Sequence, residues 1–336
     1  MSSTLLPPLG LDMAKLTFEA RLKLEHQQPT RSFANTAHGF EQLATWLRSC
    51  GVERVHACLE ATGTYGDGLA LFLYEQGHQV SIVNPARVVA FRKSEGIHTK
   101  TDKQDAKVLL RYCEQKRPRA WSPTPAEVQL LENLVLRRAD LQGMRQQEVN
   151  RLENSRWDSE SRQSILSHIQ SLETQIKALT KRLSAHIAAH TSLQEQRTYL
   201  VSLPGIADVT AACVLAEGVS ATAFSTASQL VGYSGLAIKE EISGTSVRGK
   251  ASIDRLGNAQ LRKCLYMPAL VAMRRDPDFA LWVAQMRARG KPSKVIIVAV
   301  MRKLLRLIYG VLKSKQPYDP RKAFPTHYAQ QEKPAA

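Results

Sequence analysis

The chain has 336 residues, 43% of them hydrophobic, and carries 46 Lys and Arg against 30 Asp and Glu for a formal net charge of +16. That length fits two or three domains of about 100–200 residues each. A positive excess of this size points to a polyanion partner, held through salt-sensitive, sequence-independent phosphate contacts. No apolar run reaches the roughly 18 residues of a membrane span, and no basic-then-apolar leader opens the chain. Five scattered cysteines without a CxxC pair argue against a disulfide framework. The expectation is a cytoplasmic protein whose cysteines serve as buried small hydrophobes in a reducing compartment.

Residues 1–122 alternate strand and helix signals. Residues 9–13, 18–24 and 31–34 read as strands, and residues 38–48 carry helical spacing through Phe40, Leu43, Ala44 and Leu47. Residues 52–59 return to strand, 68–76 to helix and 79–83 to strand, with Asn84-Pro85 as a turn. Three early strands followed by helix and strand in alternation predict an α/β layer on a mixed sheet. Pro7 and Pro8 are expected to shorten the first strand.

Residues 123–197 differ in kind, with glycine nearly absent and polar side chains dominant. Ile165, Ile169, Leu172, Ile176, Leu179, Leu183 and Ile187 recur at steps of three and four, a heptad-like seam suited to a helical hairpin or an intermolecular coiled coil. An earlier helix through Leu130, Leu134, Leu141 and Leu152 supplies a second arm. His186 and His190 stand four apart on the same helix, yet no third ligand or nearby Glu accompanies them, so they read as solvated helix residues. Residues 198–325 form a third region, glycine-punctuated as far as Gly257 and then helical and basic, and residues 326–336 are expected to be a disordered tail.

Four carboxylates stand out in this basic chain. Asp12 ends the strand of LGLDMAK and Glu60 ends that of VHACLEATGTY, while Asp102 and Asp105 lie three apart in TKTDKQDAKVLL, on one face of a helix start. Converged, they offer the hard oxygen ligands that Mg²⁺ takes, and metal-bound carboxylates can polarise a phosphodiester. The competing reading is structural: Thr101 with Gln104 makes a capping box, and acidic residues in a first turn favour the helix dipole.

The combination of LGLDMAK, LEATGTY, IVNPARV and KTDKQDA, in this order and at these spacings, resembles the DEDD transposases of bacterial insertion sequences. The resemblance implies an N-terminal domain of the RuvC and ribonuclease H type over residues 1–122, coiled-coil dimerisation helices over 123–197 and a mainly α-helical transposase domain over 198–325. It further implies that Asp12, Glu60, Asp102 and Asp105 bind the catalytic Mg²⁺. A structured non-coding bridge RNA is the implied partner beside donor and target DNA, with homodimers assembling to a tetramer.

In the third region, LVSLPGIADVTAACVLAE resembles a helix-hairpin-helix turn at Pro204-Gly205-Ile206, which could hold a phosphate on backbone N–H groups, although an ordinary core unit has the same pattern. Ser243-Gly244-Thr245-Ser246 is a hydroxyl-rich turn flanked by Arg248, Lys250 and Arg255. A serine attacks phosphorus only when its proton is removed and the developing charge is offset. By residues alone this is a serine-rich loop near cations; the resemblance implies that it carries the catalytic serine, Ser243, with Ser246 as the alternative. The GNAQLRK segment matches as well, and Asn258, Arg262 and Lys263 are candidate phosphate or base contacts. No GxxxxGK[ST] loop is present, so nucleotide hydrolysis is not expected.

The leading expectation is therefore an RNA-guided recombinase in which Ser243 forms a phosphoserine intermediate and Mg²⁺ assists. A resolvase-type nuclease using metal-activated water and a non-catalytic nucleic-acid scaffold remain as alternatives.

Overall fold

A computed structural model describes residues 5–61, 63–97, 101–153, 156–220, 222–239, 242–243, 247–248, 252–254 and 257–329, without the side chains of 102–103, 242–243, 247–248 and 328–329. The chain divides into two compact units, Met1–Pro123 and Thr124–Ala336.

The first unit opens with an antiparallel meander of β1 (Pro8–Met13), β2 (Thr17–Leu22) and β3 (Thr30–Ala34). Helix α1 (Ala37–Ser49) crosses to β4 (His56–Glu60), and α2 (Asp67–Glu75) crosses to β5 (Gln79–Val83). The sheet order is β3-β2-β1-β4-β5, with β1, β4 and β5 mutually parallel. Two further helices, α3 (Pro85–Ser94) and α4 (Asp102–Lys116), complete the unit. Period-two alternation sends Leu9 and Leu11 into one core layer with Phe18, Leu43, Leu47, Leu69 and Leu73. On the opposite face Cys58 packs with Phe91, Val108, Leu109 and Cys113.

Four local expectations are revised. Pro8 occupies the first strand position, where a missing N–H costs nothing, and β1 pairs on both sides, so the prolines do not shorten it. The apolar run at 52–59 becomes strand only from His56; Val52 and Val55 are buried in the connection that precedes it. Asn84-Pro85 is a helix start rather than a turn, because the Asn84 side chain accepts from the Ala86 N–H at 2.8 Å and Pro85 supplies a preset φ. Helix α3 itself buries only Val88 and Phe91, too few residues to print a period. Finally, residues of the expected tail form the helix Pro325–Ala329, while 330–336 lie outside the described residues.

One contact between elements of this unit is made backbone to backbone. A Cβ at Gly10 would stand 2.2 Å from the Ala106 carbonyl oxygen and 2.4 Å from the Leu110 nitrogen. Helix α4 therefore lies directly on β1, a packing only glycine permits.

Among the described residues the second unit is helical apart from two short strand pairs. Helices α5 (Ala126–Leu152) and α6 (Ser159–Ala189) run antiparallel, as shown by pairs that descend from one end to the other. His186 donates to the Glu127 carbonyl at 2.7 Å, Arg138 to the Thr180 hydroxyl at 2.9 Å and Arg145 to Glu173 at 2.8 Å, while His168 meets Glu148 at 3.1 Å. The α6 seam is the inward stripe, with Leu172, Leu183 and Ile187 buried. On α5 the inward residues are Leu131, Leu134, Val135 and Leu141, whereas Leu130 is 40% exposed, so that stripe begins one residue later than predicted. Arg138, Arg145 and Glu148 take seam positions and pair across it. His190 donates to the His186 carbonyl at 2.8 Å, so one ring nitrogen of each histidine is spent on backbone.

After α7 (Thr191–Val201), α8 (Asp208–Ala216) and α9 (Ala227–Tyr233) come the ribbon strands β6 (Ile238–Lys239), β7 (Ile242–Ser243), β8 (Val247–Arg248) and β9 (Ser252–Ile253). Helices α10 (Ala259–Arg275), α11 (Pro277–Ala288), α12 (Ser293–Ser314) and α13 (Pro320–Ala323) close the unit, with the helix Pro325–Ala329 as α14. The turn between α7 and α8 is a core unit: Leu203 and Ile206 are buried, and a Cβ at Gly205 (φ +79°) would lie 2.3 Å from the Pro268 carbonyl oxygen. Lys303, one of the basic series on α12, is turned inward, its Nζ 4.5 Å from the Phe324 ring centre and donating to the Ala323 carbonyl. Among the described residues no helix is long and apolar enough to cross a membrane.

Two glycines should respond oppositely to a methyl group. Gly10→Ala must displace α4 from β1 and is expected to cost about 3 kcal/mol. Gly143→Ala, in α5 with open space around it, is expected to add about 0.5–1 kcal/mol. Urea denaturation of the full chain measures both.

Candidate active site

The acidic residues are placed by strand register. Parallel pairing sets Gly10 beside Cys58 and Leu11 beside Leu59, so the next positions, Asp12 and Glu60, are neighbours at the C-terminal ends of adjacent central strands. Leu11 and Leu59 are buried in the α1/α2 layer. Alternation therefore turns Asp12 and Glu60 to the other face, the one α4 covers at Gly10 and Cys58. Both are half-buried.

Helix α4 starts over the same face. The Thr101 hydroxyl accepts from the Gln104 N–H at 3.3 Å and the Thr101 carbonyl from the Asp105 N–H at 2.8 Å, which fixes the first turn. Ala106 is the residue whose carbonyl presses on Gly10, so Asp105, one residue earlier, stands at the strand ends. Its carboxylate forms an ion pair with Arg92 of α3. Arg92 went unrecognised in the sequence because α3 did; it follows the IVNPARV segment with no periodicity to mark it. The side chain of Asp102 lies outside the described residues. Among the described side chains no three His, Cys, Asp or Glu form a ready-made metal cage. The donor chemistry nevertheless suits a hard divalent cation, since Asp12 and Glu60 are carboxylates at adjacent parallel strand ends and Asp105 belongs to the helix that covers the same sheet face.

Beneath the carboxylates the chemistry is quiet. Cys113 donates to the His56 carbonyl at 3.2 Å, and the hydrogen bond with Cys113 together with burial pushes the Cys58 thiol up. His56 meets the Ser81 hydroxyl at 2.8 Å inside the core. These groups pack the layer between β4 and α4, and all five cysteines are free.

The serine segment is built from its neck outwards. Gly235 (φ +68°) and Gly257 touch backbone to backbone: a Cβ on Gly257 would fall 2.2 Å from the Gly235 nitrogen, and one on Gly235 2.8 Å from the Gly257 nitrogen. Arg262 locks this crossing, with Nη1 donating to the carbonyls of Ser234 and Gly257, both at 2.8 Å. Asn258 completes the neck. Its Oδ1 accepts from Leu261 N–H at 2.8 Å to cap α10, and its Nδ2 donates to Glu217 at 2.5 Å and to the Tyr233 hydroxyl at 3.1 Å. Burial pushes the Tyr233 phenol up, so it stays a neutral partner.

In the segment that this neck closes, the described residues form two separate strand pairs. Ile238 and Lys239 pair with Ile253 and Ser252, then Ile242 with Arg248 and Ser243 with Val247. Ser243 is thus the last paired residue before the connection at 244–246. That connection, which includes Ser246, lies outside the described residues, as do Lys250 and Arg255 and the side chains of Ser243 and Arg248. Of the candidate nucleic-acid contacts, Lys263 is exposed, while Asn258 and Arg262 are engaged inside the neck.

Comparison with known proteins finds matches in both the N-terminal and the C-terminal parts of the chain. A DEDD transposase model of the IS110 type, described as Transposase, matches residues 9–155, and one described as Transposase IS116/IS110/IS902 family matches residues 197–283. The chain is 34% identical over 321 residues to a pilin gene-inverting protein of Moraxella bovis, covering 93% of this chain and 98% of that one. It is 30% identical over 158 residues to the uncharacterized 43.6 kDa protein of insertion element IS110 from Streptomyces coelicolor, covering 47% of this chain and 38% of that one. A putative transposase of Sinorhizobium fredii is 24% identical, over 77% and 75% of the respective chains. The chain belongs to the IS116/IS110/IS902 family of transposases. Its mixed α/β sheet with a mostly helical remainder fits the ribonuclease H-like plan of DEDD transposases.

The neck has a measurable weight. Asn258→Ala removes a helix cap and leaves Glu217 without its amide, and is expected to cost about 1–3 kcal/mol. Asn258→Ser, which keeps the cap, should recover about half of that loss. Thermal or urea unfolding of the full chain distinguishes the two.

Proposed function

We propose that this transposase cuts and rejoins donor and target DNA through a phosphoserine intermediate on Ser243, with Mg²⁺ held by Asp12, Glu60, Asp102 and Asp105. The observation that supports the reading is the strand pairing of Ser243 with Val247, in a segment whose two ends are held together by Gly235, Gly257 and Arg262. A nucleophile in a segment anchored at both ends can meet a phosphate in a defined orientation. The Ser243 oxygen attacks phosphorus, its proton passes to a base, and the released DNA hydroxyl is the leaving group. Reversal by a hydroxyl of the exchanged strand frees Ser243, so the number of phosphodiester bonds is conserved and no nucleotide is hydrolysed. When bound, the divalent ion polarises the phosphodiester and offsets its charge. Arg248, Lys250, Arg255 and Lys263 contribute cations along the nucleic acid, and Asn258 and Arg262 serve it by holding the ribbon.

The net charge of +16 and the likeness of the motifs to insertion-sequence transposases support a structured bridge RNA as the guide, with homodimers joined through the α5/α6 pair and assembled in twos. A relative whose name describes inversion of a pilin gene covers nearly the whole chain, which supports the same cut-and-rejoin chemistry serving inversion as well as transposition. The domain reading that goes with this function is a RuvC-like catalytic part, a dimerising helix pair and a serine-bearing transposase part.

Incubated with its donor DNA and co-purified RNA, the protein is expected to give a denaturant-resistant protein–DNA adduct. Ser243→Ala abolishes the adduct, Ser246→Ala keeps it, and chelator or Asp12→Asn with Glu60→Gln lowers it at least about a hundredfold. Normal strand cleavage by Ser243→Ala, with only the carboxylate variants dead, would establish a metal-dependent nuclease instead.

A further inference from the structure

Asp105 stands on the face shared by Asp12 and Glu60, yet its carboxylate is held by a neighbour that no motif includes. Arg92 and Asp105 have side chains only 16% and 15% exposed, so neither charge is left to water. Nη2 of Arg92 meets Oδ1 of Asp105. Arg92 Nε is buried without a hydrogen-bond partner among the described residues. The side-on fork through Nε and Nη2, one of the paired geometries that make arginine–carboxylate pairs hard to displace, is therefore not formed.

The docking of α3 on α4 does not depend on this pair. Glu95 and Arg111 bridge the same two helices at 2.5 Å, and Phe91 meets Tyr112 edge-on at 5.3 Å between ring centres. Arg92 can therefore leave Asp105 by a side-chain movement while the helices stay in place. We propose that Arg92 is the resident counter-ion of Asp105 in the metal-free chain, and that a divalent cation takes Asp105 from it, so that metal loading is an exchange of one cation for another. The inference rests on the reading of Asp12, Glu60 and Asp105 as metal ligands.

An isolated half-buried carboxylate group would be costly in the metal-free protein. Arg92 removes that cost, and by the same interaction sets the affinity below what the carboxylates alone would reach. Metal binding is then weak enough to be completed by the phosphate of a bound nucleic acid, which supplies further oxygen ligands.

The test is calorimetric titration of metal-free full-length protein with Mn²⁺, without DNA. Arg92→Gln is expected to bind Mn²⁺ about tenfold more tightly, Asp105→Asn to bind more weakly, and the double variant to match Asp105→Asn alone. Arg92→Lys, which keeps the charge on a different geometry, should fall between wild type and Arg92→Gln, and it decides the matter if Arg92→Gln does not fold. Unchanged or weaker binding by the folded Arg92 variants, with Asp12→Asn still impairing it, overturns the exchange and leaves the metal site intact. Absence of saturable Mn²⁺ binding in the wild type and in the folded Arg92 variants alike overturns the metal reading, and the exchange with it.

Discussion

Everything about the acidic site follows from one contact, the α4 backbone resting on the β1 backbone at Gly10. A side chain at that position would hold the helix several ångströms off the sheet, and Asp105 would rise with it. Because the strand ends of β1 and β4 already set Asp12 beside Glu60, the remaining degree of freedom is the height and rotation of α4. Gly10 sets the height, and the Thr101 cap sets where the first turn begins. The layer below, with Cys58, Val108, Leu109 and Cys113 buried, keeps the helix from rolling.

The second unit uses glycine for the same purpose in another setting. At Gly235 and Gly257 two stretches of backbone meet where no Cβ fits, and Arg262 ties both to one guanidinium nitrogen. The segment between these two glycines leaves and re-enters the core at one crossing, and holding both ends together there meets the entropy of closing it.

The sequence revealed the parts and missed their relations. The five strands, α1 and α2 could be read because Leu9, Leu11, Phe18, Ala20 and Leu22 alternate and Leu43 and Leu47 recur at helical steps. Helix α3 could not, since two buried residues make no period and Asn84-Pro85 serves a turn as readily as a helix start. With α3 went Arg92, whose meaning depends on a neighbour 13 positions away on another helix. The carboxylates were legible as types at strand and helix ends; that Asp12 and Glu60 are register neighbours depends on β1 pairing with β4 across the sheet order. Asn258 and Arg262 looked like ligand contacts because amide and guanidinium groups serve backbone carbonyls and phosphates through the same donors. In the fold Arg262 donates to the carbonyls of Ser234 and Gly257, and Asn258 to Glu217 and the Tyr233 hydroxyl, partners that lie up to 41 positions away in sequence.

A chain with a formal charge of +16 faces a particular difficulty in keeping carboxylates for metal chemistry. Its own arginines compete with the metal for every exposed acid, and the contest is decided by geometry as much as by charge. Arg145–Glu173 on the α5/α6 pair and Arg111–Glu95 beside the site show acids already committed to arginine partners. Asp105 is committed as well, to Arg92, but without a bond from the guanidinium Nε. A monovalent, delocalised guanidinium satisfies one carboxylate at a time, whereas a compact divalent ion gathers several oxygens at close range. On the proposed reading, that difference in the number of oxygens gathered is what would let a divalent ion take Asp105 from Arg92.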